Sequence, residues 1–442
     1  MNFLREVSPR AGGLQLAGTV STAAWMLLAW RSHQGGAPLA LTLVVIAVAW
    51  LAMAWALLAA MERMAGWVAF WAVIFRLVAM GAQPVMEDDH YRFLWDGYQF
   101  SLTGNPYATA PQASFTDATV PVGFREILDR INHPDVPTIY GPGCQWAFRL
   151  CHAIAPSRLW PWKLLLLASE LALAALLWRG LSARGRLVLA WCPLAIFETG
   201  FNAHPDVLAI TVLVAGWWAA RRRWIVVAGA AVGIAVATKI FAVLLGPFVL
   251  WRLGWRAWGA AGMAVVVCYA PFWAQGSAAD LAGLRAMAAE WEFNSSVYAV
   301  VSAVSLPSFA RAACGLAFAA IWAGLLAQWN RKMSQRRHAP GRALPPGEWV
   351  FGWFLLLSAV ANPWYALWLW PFVAARISWP GLAALAAVSL AYVTGLNLGD
   401  QTLGNFGHPW WLRPVEFGAV ALVALWCLGQ KKTRSRIPLE GS

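Results

Sequence analysis

The sequence predicts an all-α integral membrane protein that crosses the bilayer many times. Of its 442 residues, 60% are hydrophobic and only 12% are charged, whereas a soluble domain carries roughly 25% charged residues. The 31 tryptophans suit the headgroup level of a bilayer, where the amphipathic indole ring is favourable. Because so few charges cannot cover a water-facing surface, lipid is the expected solvent of this chain.

About fourteen apolar segments follow one another along the chain, and most approach the roughly 17–25 residues that a spanning helix needs. We therefore predict about 11–14 transmembrane helices in one membrane domain, residues 1–442. The first run is predicted to be a membrane helix rather than a cleaved signal peptide. The short segments are expected to line a cavity. The predicted segments are 13–31, 38–60, 65–82, 161–178, 187–200, 207–220, 224–237, 240–252, 257–274, 309–327, 349–361, 364–376, 379–396 and 413–429.

The net charge of +13 comes from short basic clusters between the apolar runs, which is the pattern of cytoplasmic loops rather than of a nucleic-acid groove. Anionic lipid headgroups are the expected partners of these clusters. The pattern places both termini in the cytoplasm, together with a linker at 328–348. The main external loop is then 83–160 and the second is 275–308. Within the first, Gln145 to Ile154 is predicted to form an amphipathic helix at the interface.

The densest polar cluster, Glu87-Asp88-Asp89, begins where the third predicted helix leaves the membrane. Adjacent carboxylates repel one another and are costly near lipid. A carboxylate at this place can act as a general base on an acceptor hydroxyl, and Arg92, four residues after Asp88, shares a helix face with it. The alternative interpretation is a solvated loop start that caps a helix.

Further polar residues occur at the turns predicted to lie on the same external side. Arg76, inside the third predicted helix, is expected either to bind a phosphate or to form a buried ion pair. Two histidine–aspartate pairs with i, i+2 spacing are too weak a pattern to predict a metal. The six scattered cysteines are expected to be packing residues without a disulfide. The external turns contribute Asn105, Tyr107, His133, Tyr140, Gln145, Asn202, His204, Asp206, Lys239, Trp364, Tyr365 and Arg413.

Three of these stretches carry a family resemblance. The run Glu87 to Gly97, followed by Asn105-Pro106-Tyr107, resembles the "DDxYRYLWDG…NPY" motif of GT-C fold, polyprenyl-phosphate-mannose-dependent mannosyltransferases and their bacterial relatives. The stretch His133 to Gln145 is similar to their "HPxxPTIYPPxxQ" segment, with Gly141 at the first proline of Tyr-Pro-Pro. Asn202 to Asp206 is similar to their "NGHND" loop, with Pro205 at the second asparagine.

The resemblance implies a glycosyltransferase of the bacterial inner membrane with a periplasmic active site. It would transfer a monosaccharide, by the family default mannose, with inversion from a polyprenyl-phosphate carrier to a glycan or lipid-linked acceptor. No cofactor and no metal are expected. The acidic pair would be Asp88, the preferred general base, and Asp89, while Arg92, Lys239 and Arg413, with Arg76 second, would bind the donor phosphate. The expected substrate-binding residues are Glu87, Tyr91, Trp95, Asp96, Asn105, Tyr107, His133, Tyr140, Gln145, Asn202, His204, Asp206, Trp364 and Tyr365.

Two other functions fit the composition. A lipid flippase or solute transporter would also have many helices, but many transporters contain an internal repeat, and the sequence shows none. A glycan polymerase or ligase with a diphosphate-linked donor would share the one-sided layout. It would lack the Asp-Asp-x-Tyr-Arg motif at Asp88 to Arg92.

Overall fold

The computed structural model describes residues 9–274, 285, 289, 291–335, 343–394 and 409–434. Helices dominate these residues, and the one β-type contact among them is an isolated bridge between Phe293 and Val360. The all-α class is therefore confirmed. The α-helices are α1 Pro9–Ser32, α2 Leu39–Ala59, α3 Ala65–Gly81, α4 Asp89–Thr103, α5 Val122–Leu128, α6 Pro142–Ile154, α7 Trp160–Leu177, α8 Ala183–Trp191, α9 Pro193–Ala195, α10 Asp206–Arg221, α11 Ile225–Thr238, α12 Gly246–Leu250, α13 Trp255–Trp273, α14 Val297–Ser302, α15 Pro307–Gln335, α16 Gly347–Leu357, α17 Trp370–Ala375, α18 Trp379–Ala387 and α19 Leu412–Arg434.

Within the described residues, five helices are long and apolar enough to cross a membrane, or six when one sharply bent pair counts as a single span. The chain is therefore a multi-pass membrane protein, although length and composition alone give fewer spans than the 11–14 predicted. The difference arises because several predicted segments are short or broken. Segments 187–200 and 207–220 belong to the bent pair, Ala183–Phe201 and Asp206–Arg221, whose axes differ by 118°. Segment 240–252 divides into the 3₁₀ turn Ile240–Leu244 and the five-residue α12.

The helices have a polar end and a basic end. At the basic end, Arg186 near the start of α8 forms an ion pair with Glu62 before α3 at 2.7 Å, and Arg252 after α12 donates to Ser334 near the end of α15. At the other end, Lys163 of α7 donates to the carbonyls of Ala79 and Ala82, where α3 terminates. The acidic motif therefore lies at the end of the bundle opposite these basic residues.

Glycines allow α11 to pack closely against α13. A Cβ atom on Gly229 would lie 2.1 Å from the carbonyl oxygen of Ala257, and one on Gly233 would lie 2.2 Å from that of Ala261. The four-residue spacing of these glycines is the small-xxx-small pattern by which membrane helices approach each other. This packing fixes the direction of α11 and hence the position of Lys239, the residue that follows it.

The segment 83–160, predicted as an external loop, contains α4, α5 and α6 and has a small hydrophobic core of its own. Its core residues are Trp95, Val120, Phe124, Ile127, Leu128 and Ile131. The helix predicted at Gln145 to Ile154 is present as α6, with Phe148 buried and Leu150 and Ile154 exposed. At Gly97 of α4, a Cβ atom would lie 2.6 Å from the carbonyl oxygen of Phe148, so α4 and α6 are in close backbone contact.

The predicted linker 328–348 is shorter than expected, because α15 continues to Gln335 and α16 starts at Gly347. Residues 336–342 of this linker lie outside the described residues, as do most of residues 275–290 in the predicted loop 275–308 and all of the stretch 395–408. All six cysteines are free, and four of them are fully buried, in agreement with the predicted packing role.

Candidate active site

The acidic motif lies where the chain leaves α3 and enters α4. Asp88 occupies the N-cap position and Asp89 is the first residue of α4, where the helix dipole favours negative charge. Although aspartate is a common N-cap, Asp88 makes no capping hydrogen bond to the helix. Instead the side-chain amide of Asn132 donates to Asp88 Oδ1 at 2.6 Å and to Asp89 Oδ1 at 2.7 Å. One amide therefore holds two adjacent carboxylates side by side.

Asp89 is also contacted from two other parts of the chain. The hydroxyl of Tyr140 donates to Asp89 Oδ2 at 2.8 Å, and Nε2 of His204 lies 3.6 Å from the same oxygen. On its other side, the Nδ1 atom of His204 lies 2.7 Å from Glu198 Oε2. The imidazole ring thus lies between two carboxylates from different elements.

A break in the bent helix pair positions His204. The π-helix Ile196–Phe201 ends the first half of the pair, and Ala203 then adopts a φ of 64°, which is uncommon for a residue with a side chain. Its carbonyl accepts a hydrogen bond from Trp162 Nε1 at 2.7 Å, and the ring of His204 stacks on Trp364 at 4.0 Å with an interplanar angle of 14°. The surrounding structure therefore fixes the break in one conformation.

Lys239 lies beside the acidic motif at the end of α11. Its ammonium nitrogen is 3.3 Å from Asp206 Oδ2, and Trp368 Nε1 donates to the other oxygen of Asp206 at 2.8 Å. The same nitrogen is 5.9 Å from the ring centroid of Tyr140 and 5.3 Å from that of Tyr365. Because Tyr140 also contacts Asp89, this cation and the acidic pair belong to one site.

A buried network lies behind the motif. Arg92 forms an ion pair with Asp96 at 2.9 Å rather than with Asp88, and it also donates to the carbonyl of Val136 at 2.9 Å. The remaining oxygen of Asp96 accepts hydrogen bonds from Thr138 at 2.5 Å and from Gln145 at 2.8 Å. These residues join α4 to the segment that contains Asn132 and Tyr140, and so hold both of those donors in position.

Burial raises the pKa of Glu87 well above its ordinary value, and the neighbouring charges of Asp89, Asp88 and Glu198 act in the same direction. Both carboxylate oxygens of Glu87 are buried and have no hydrogen-bond partner in the described part of the chain. Burial also lowers the pKa of the adjacent His90 to about 4, so that histidine is neutral at physiological pH. Burial therefore favours the neutral forms of both Glu87 and His90 in the absence of a ligand.

Asp89 behaves differently from Glu87. Burial by itself would raise its pKa, but the positive charge of His204, 3.6 Å away, together with hydrogen bonds from Asn132 and Tyr140, holds the pKa of Asp89 below its ordinary range. Asp89 is therefore ionised throughout the physiological pH range.

The structure places several other predicted residues around this site in supporting contacts. Tyr91 accepts a hydrogen bond from Arg130 at 2.9 Å, and Trp95 belongs to the small core of the segment. Asn105 accepts from the backbone of Tyr107, whose hydroxyl donates to the carbonyl of Tyr140 at 2.9 Å. These contacts order the polypeptide around the motif.

The remaining predicted cations, Arg76 and Arg413, form ion pairs with other carboxylates. Arg76 pairs with Glu170 of α7 at 2.8 Å and donates to the carbonyl of Ala190, in agreement with the buried ion-pair alternative. Arg413 forms an ion pair with Glu292 at 3.2 Å. Trp291, next to Glu292, has its ring centroid 4.7 Å from that of His133, which connects this pair to the 83–160 segment.

Two contributors were not selected from the sequence. Glu198 lies in a segment that reads as an apolar helix, and its only signal was a carboxylate in an otherwise hydrophobic run. Asn132 stood among turn residues of the stretch before His133, with no feature to set it apart. Asn132 reaches the acidic pair from 44 residues along the chain, whereas Glu198 contacts His204, six residues away, and is linked to Asp89 through that histidine.

Comparison with known proteins gives one family. The family model described as "Alpha-(1->6)-mannopyranosyltransferase, N-terminal domain" matches residues 7–255, which is more than half of the chain. No curated protein and no solved structure matches. The matched region includes the acidic motif, Asn132, Tyr140, Glu198, His204 and Lys239. The chain therefore belongs to the MptA_B family of alpha-(1->6)-mannopyranosyltransferases.

Proposed function

We propose that this mannosyltransferase-family protein takes mannose from a polyprenyl-phosphate carrier and transfers it, with inversion, to a glycan or lipid-linked acceptor at the periplasmic face of the bacterial inner membrane. The observation that carries this proposal is the pair Asp88 and Asp89, bridged by one amide of Asn132 and lying beside the cation of Lys239. The name of the family adds an α-(1→6) linkage as the expected product.

In this proposal Asp88 is the general base and Asp89 fixes the geometry. Asp89 uses both of its oxygens, accepting from Asn132 on one and from Tyr140 on the other, and its low pKa makes it a weak proton acceptor. Asp88 is only half-buried and its carboxylate is not used to cap the helix. A carboxylate in that position is suited to accept a proton from a bound hydroxyl.

The reaction is a single displacement at the anomeric carbon. The acceptor oxygen forms a new bond to C1 of mannose while its proton passes to Asp88. The bond between C1 and the phosphate oxygen breaks, and the carrier phosphate leaves with the electron pair. Attack opposite the leaving group inverts the configuration, and a cation stabilises the charge that develops on the leaving phosphate. Lys239 is the proposed cation for that phosphate, because its ammonium group faces the ring of Tyr140, whose hydroxyl contacts Asp89.

The other predicted phosphate ligands have different positions in this scheme. Arg92 is assigned to positioning, since its guanidinium group is engaged by Asp96 and by backbone carbonyls. Arg76 is assigned to the buried pair with Glu170. Arg413 remains a proposed donor contact from the C-terminal part of the chain, where a pair with Glu292 keeps it partly exposed.

The test is mannose transfer in membranes that contain the wild-type chain, Asp88→Asn or Asp89→Asn, with labelled polyprenyl-phosphate-mannose as the donor. Loss of a general base typically costs about 10²–10⁴ in rate, so Asp88→Asn is expected to lose transfer by that factor at unchanged protein level. Asp89→Asn is expected to lose activity as well, but with a lower melting temperature, because the two donors Asn132 and Tyr140 and the nearby cation of His204 lose an ionised partner.

Two controls test the specificity of the Asp88 effect and the identity of the sugar donor. Asp117→Asn removes an exposed carboxylate from the same 83–160 segment and is expected to leave transfer unchanged. A nucleotide-linked mannose, supplied without the carrier, is expected to give no transfer. Equal transfer by the wild type and Asp88→Asn would show that Asp88 is not the general base. Transfer from the nucleotide sugar alone would refute the proposed donor.

A further inference from the structure

Three metal-ligating side chains converge beside the proposed base, and the reaction proposed above does not require two of them. One potential ligand atom from each of Glu87, Asp89 and His204 lies within 4.8 Å of the other two. Glu87 and His204 are only 5% and 1% exposed. Two of the ligands come from the start of α4 and the third from the break in the bent pair, so the fold rather than local sequence brings them together.

Buried polar groups without partners point into this cluster. Neither oxygen of Glu87 nor Nε2 of His204 has a hydrogen-bond partner in the portion of the chain that the structure describes. Burying polar groups without a partner costs free energy, and this cost is greatest for a carboxylate. A bound cation would give both Nε2 of His204 and a carboxylate oxygen of Glu87 a partner.

The surroundings of His204 are those of a metal ligand. Its Nδ1 atom faces Glu198 at 2.7 Å, and its Nε2 atom lies 3.6 Å from Asp89. A metal bound at Nε2 would displace the proton from that nitrogen and leave Nδ1 to donate to Glu198. In metal sites the ring nitrogen of a histidine that does not bind the metal commonly donates its N–H to a carboxylate, which is the position of Glu198 here. Asp89 is likewise held from outside the cluster, by Asn132 and Tyr140.

The ligand set selects the class of cation. A Zn²⁺ ion about 2.0–2.2 Å from each ligand in tetrahedral geometry holds the ligand atoms roughly 3.4 Å apart, close to the separation of His204 and Asp89. One imidazole with two carboxylates suits zinc or manganese, whereas calcium and magnesium prefer oxygen ligands alone. Three protein ligands leave a coordination position open, as in catalytic rather than structural zinc sites.

We propose that Glu87, Asp89 and His204 bind one divalent transition-metal cation, with zinc the preferred ion. Sequence analysis predicted no metal, because the histidine lies more than a hundred residues from the carboxylates and the spacing gives no pattern. The proposal concerns binding by the chain itself and does not depend on the identity of the sugar donor.

The experiment measures metal per chain without any substrate. Purified protein in detergent is stripped with a chelator, equilibrated with Zn²⁺ or Mn²⁺ and passed over a desalting column, and its metal content is determined by mass spectrometry. The wild type is expected to retain one ion per chain, and Glu87→Gln and His204→Gln are expected to retain none at the same free concentration. Glu126→Gln makes the same chemical change at an exposed position of the same segment and is expected to retain the ion.

A variant that keeps all three ligands and a stability measurement distinguish loss of metal binding from misfolding. Glu198→Gln removes the outer carboxylate but leaves all three ligands, and is expected to weaken zinc affinity by about 10–100-fold. Zinc is also expected to raise the melting temperature of the wild type, and the chelator to reverse that rise. A wild type that retains no more metal than Glu87→Gln and does not change its melting temperature would overturn the proposal. Failure of carrier-dependent mannose transfer would leave it untouched.

Discussion

The network behind the acidic motif makes a testable prediction about Asp96. This residue is fully buried in α4 and its carboxylate accepts hydrogen bonds from Arg92, Thr138 and Gln145. In Asp96→Asn the side chain keeps its shape but loses its charge, and the guanidinium group of Arg92 is then buried with only carbonyl partners. We expect the 83–160 segment to loosen, because the described contacts of Asp96 hold that segment together.

The magnitude follows from the buried pair. Removing one partner of a buried ion pair costs about 3–5 kcal/mol, because the other charge remains buried without compensation. The hydrogen bonds to Asp96 give an energy of similar size. Each bond to a charged group contributes about 1.5–3 kcal/mol, and the contributions within one network do not simply add. The loss should be concentrated in the 83–160 segment rather than spread over the membrane helices.

The assay combines thermal denaturation in detergent with limited proteolysis of the segment. Asp96→Asn is expected to lower the melting temperature and to expose cleavage sites in 83–160 at temperatures at which the wild type resists. Asp117→Asn, in an exposed turn of the same segment, serves as the control and is expected to behave like the wild type. If both variants melted and cleaved like the wild type, Asp96 would not hold this segment, and the positioning role assigned to Arg92 would fail with it.

Three further predictions concern the helix bundle, and each is tested by thermal denaturation in detergent. Gly233→Leu is expected to lower the melting temperature, because its Cβ would lie 2.2 Å from a backbone oxygen of α13. The control Gly262→Leu on α13 places its side chain in open space and is expected to have little effect. Equal shifts in melting temperature would exclude close α11–α13 packing. Arg76→Gln is expected to lower the free energy of unfolding by about 3–5 kcal/mol, because Glu170 loses its ion-pair partner. Adding Glu170→Gln should recover part of that loss. No recovery would mean that the two residues are not coupled. Lys163→Met is expected to cost about 1–3 kcal/mol by leaving two carbonyls at the end of α3 without a donor; an unchanged melting temperature would rule out this role.

The fold class could be predicted from composition, but the number of membrane spans could not be read from apolar runs. Hydropathy counts any apolar run as a span, whereas the chain bends by 118° between Phe201 and Asp206 and breaks again after Lys239. Both breaks carry polar residues of the site. Broken helices are tolerated where they line a cavity, so the segments that hydropathy misjudges are the ones that supply His204 and Lys239.

The acidic pair could be predicted because three consecutive carboxylates at a membrane boundary are costly and conspicuous. The partners of the acidic pair could not be predicted, because they come from segments that are distant in sequence and meet only in the folded protein. The spacing of Asp88 and Arg92 suggested an i, i+4 pair, but Asp88 precedes the first turn of α4, while Asp96 lies four residues further along the same helix and is fully buried. A buried carboxylate attracts the guanidinium group more strongly than a half-buried one, because solvent screens it less.

The glycine at position 141 shows how packing accounts for a departure from a family motif. A Cβ atom on Gly141 would lie 2.2 Å from the carbonyl oxygen of Ala237, and one on Gly143 would lie 2.2 Å from Thr238 Oγ1. The start of α6 therefore rests directly on the end of α11. Tyr140 and Lys239, which flank this contact in the sequence, are thereby held on the same side of the motif. Gly141 thus contributes to the site by allowing two helices to meet, and the contact requires no role for this residue in selecting the sugar.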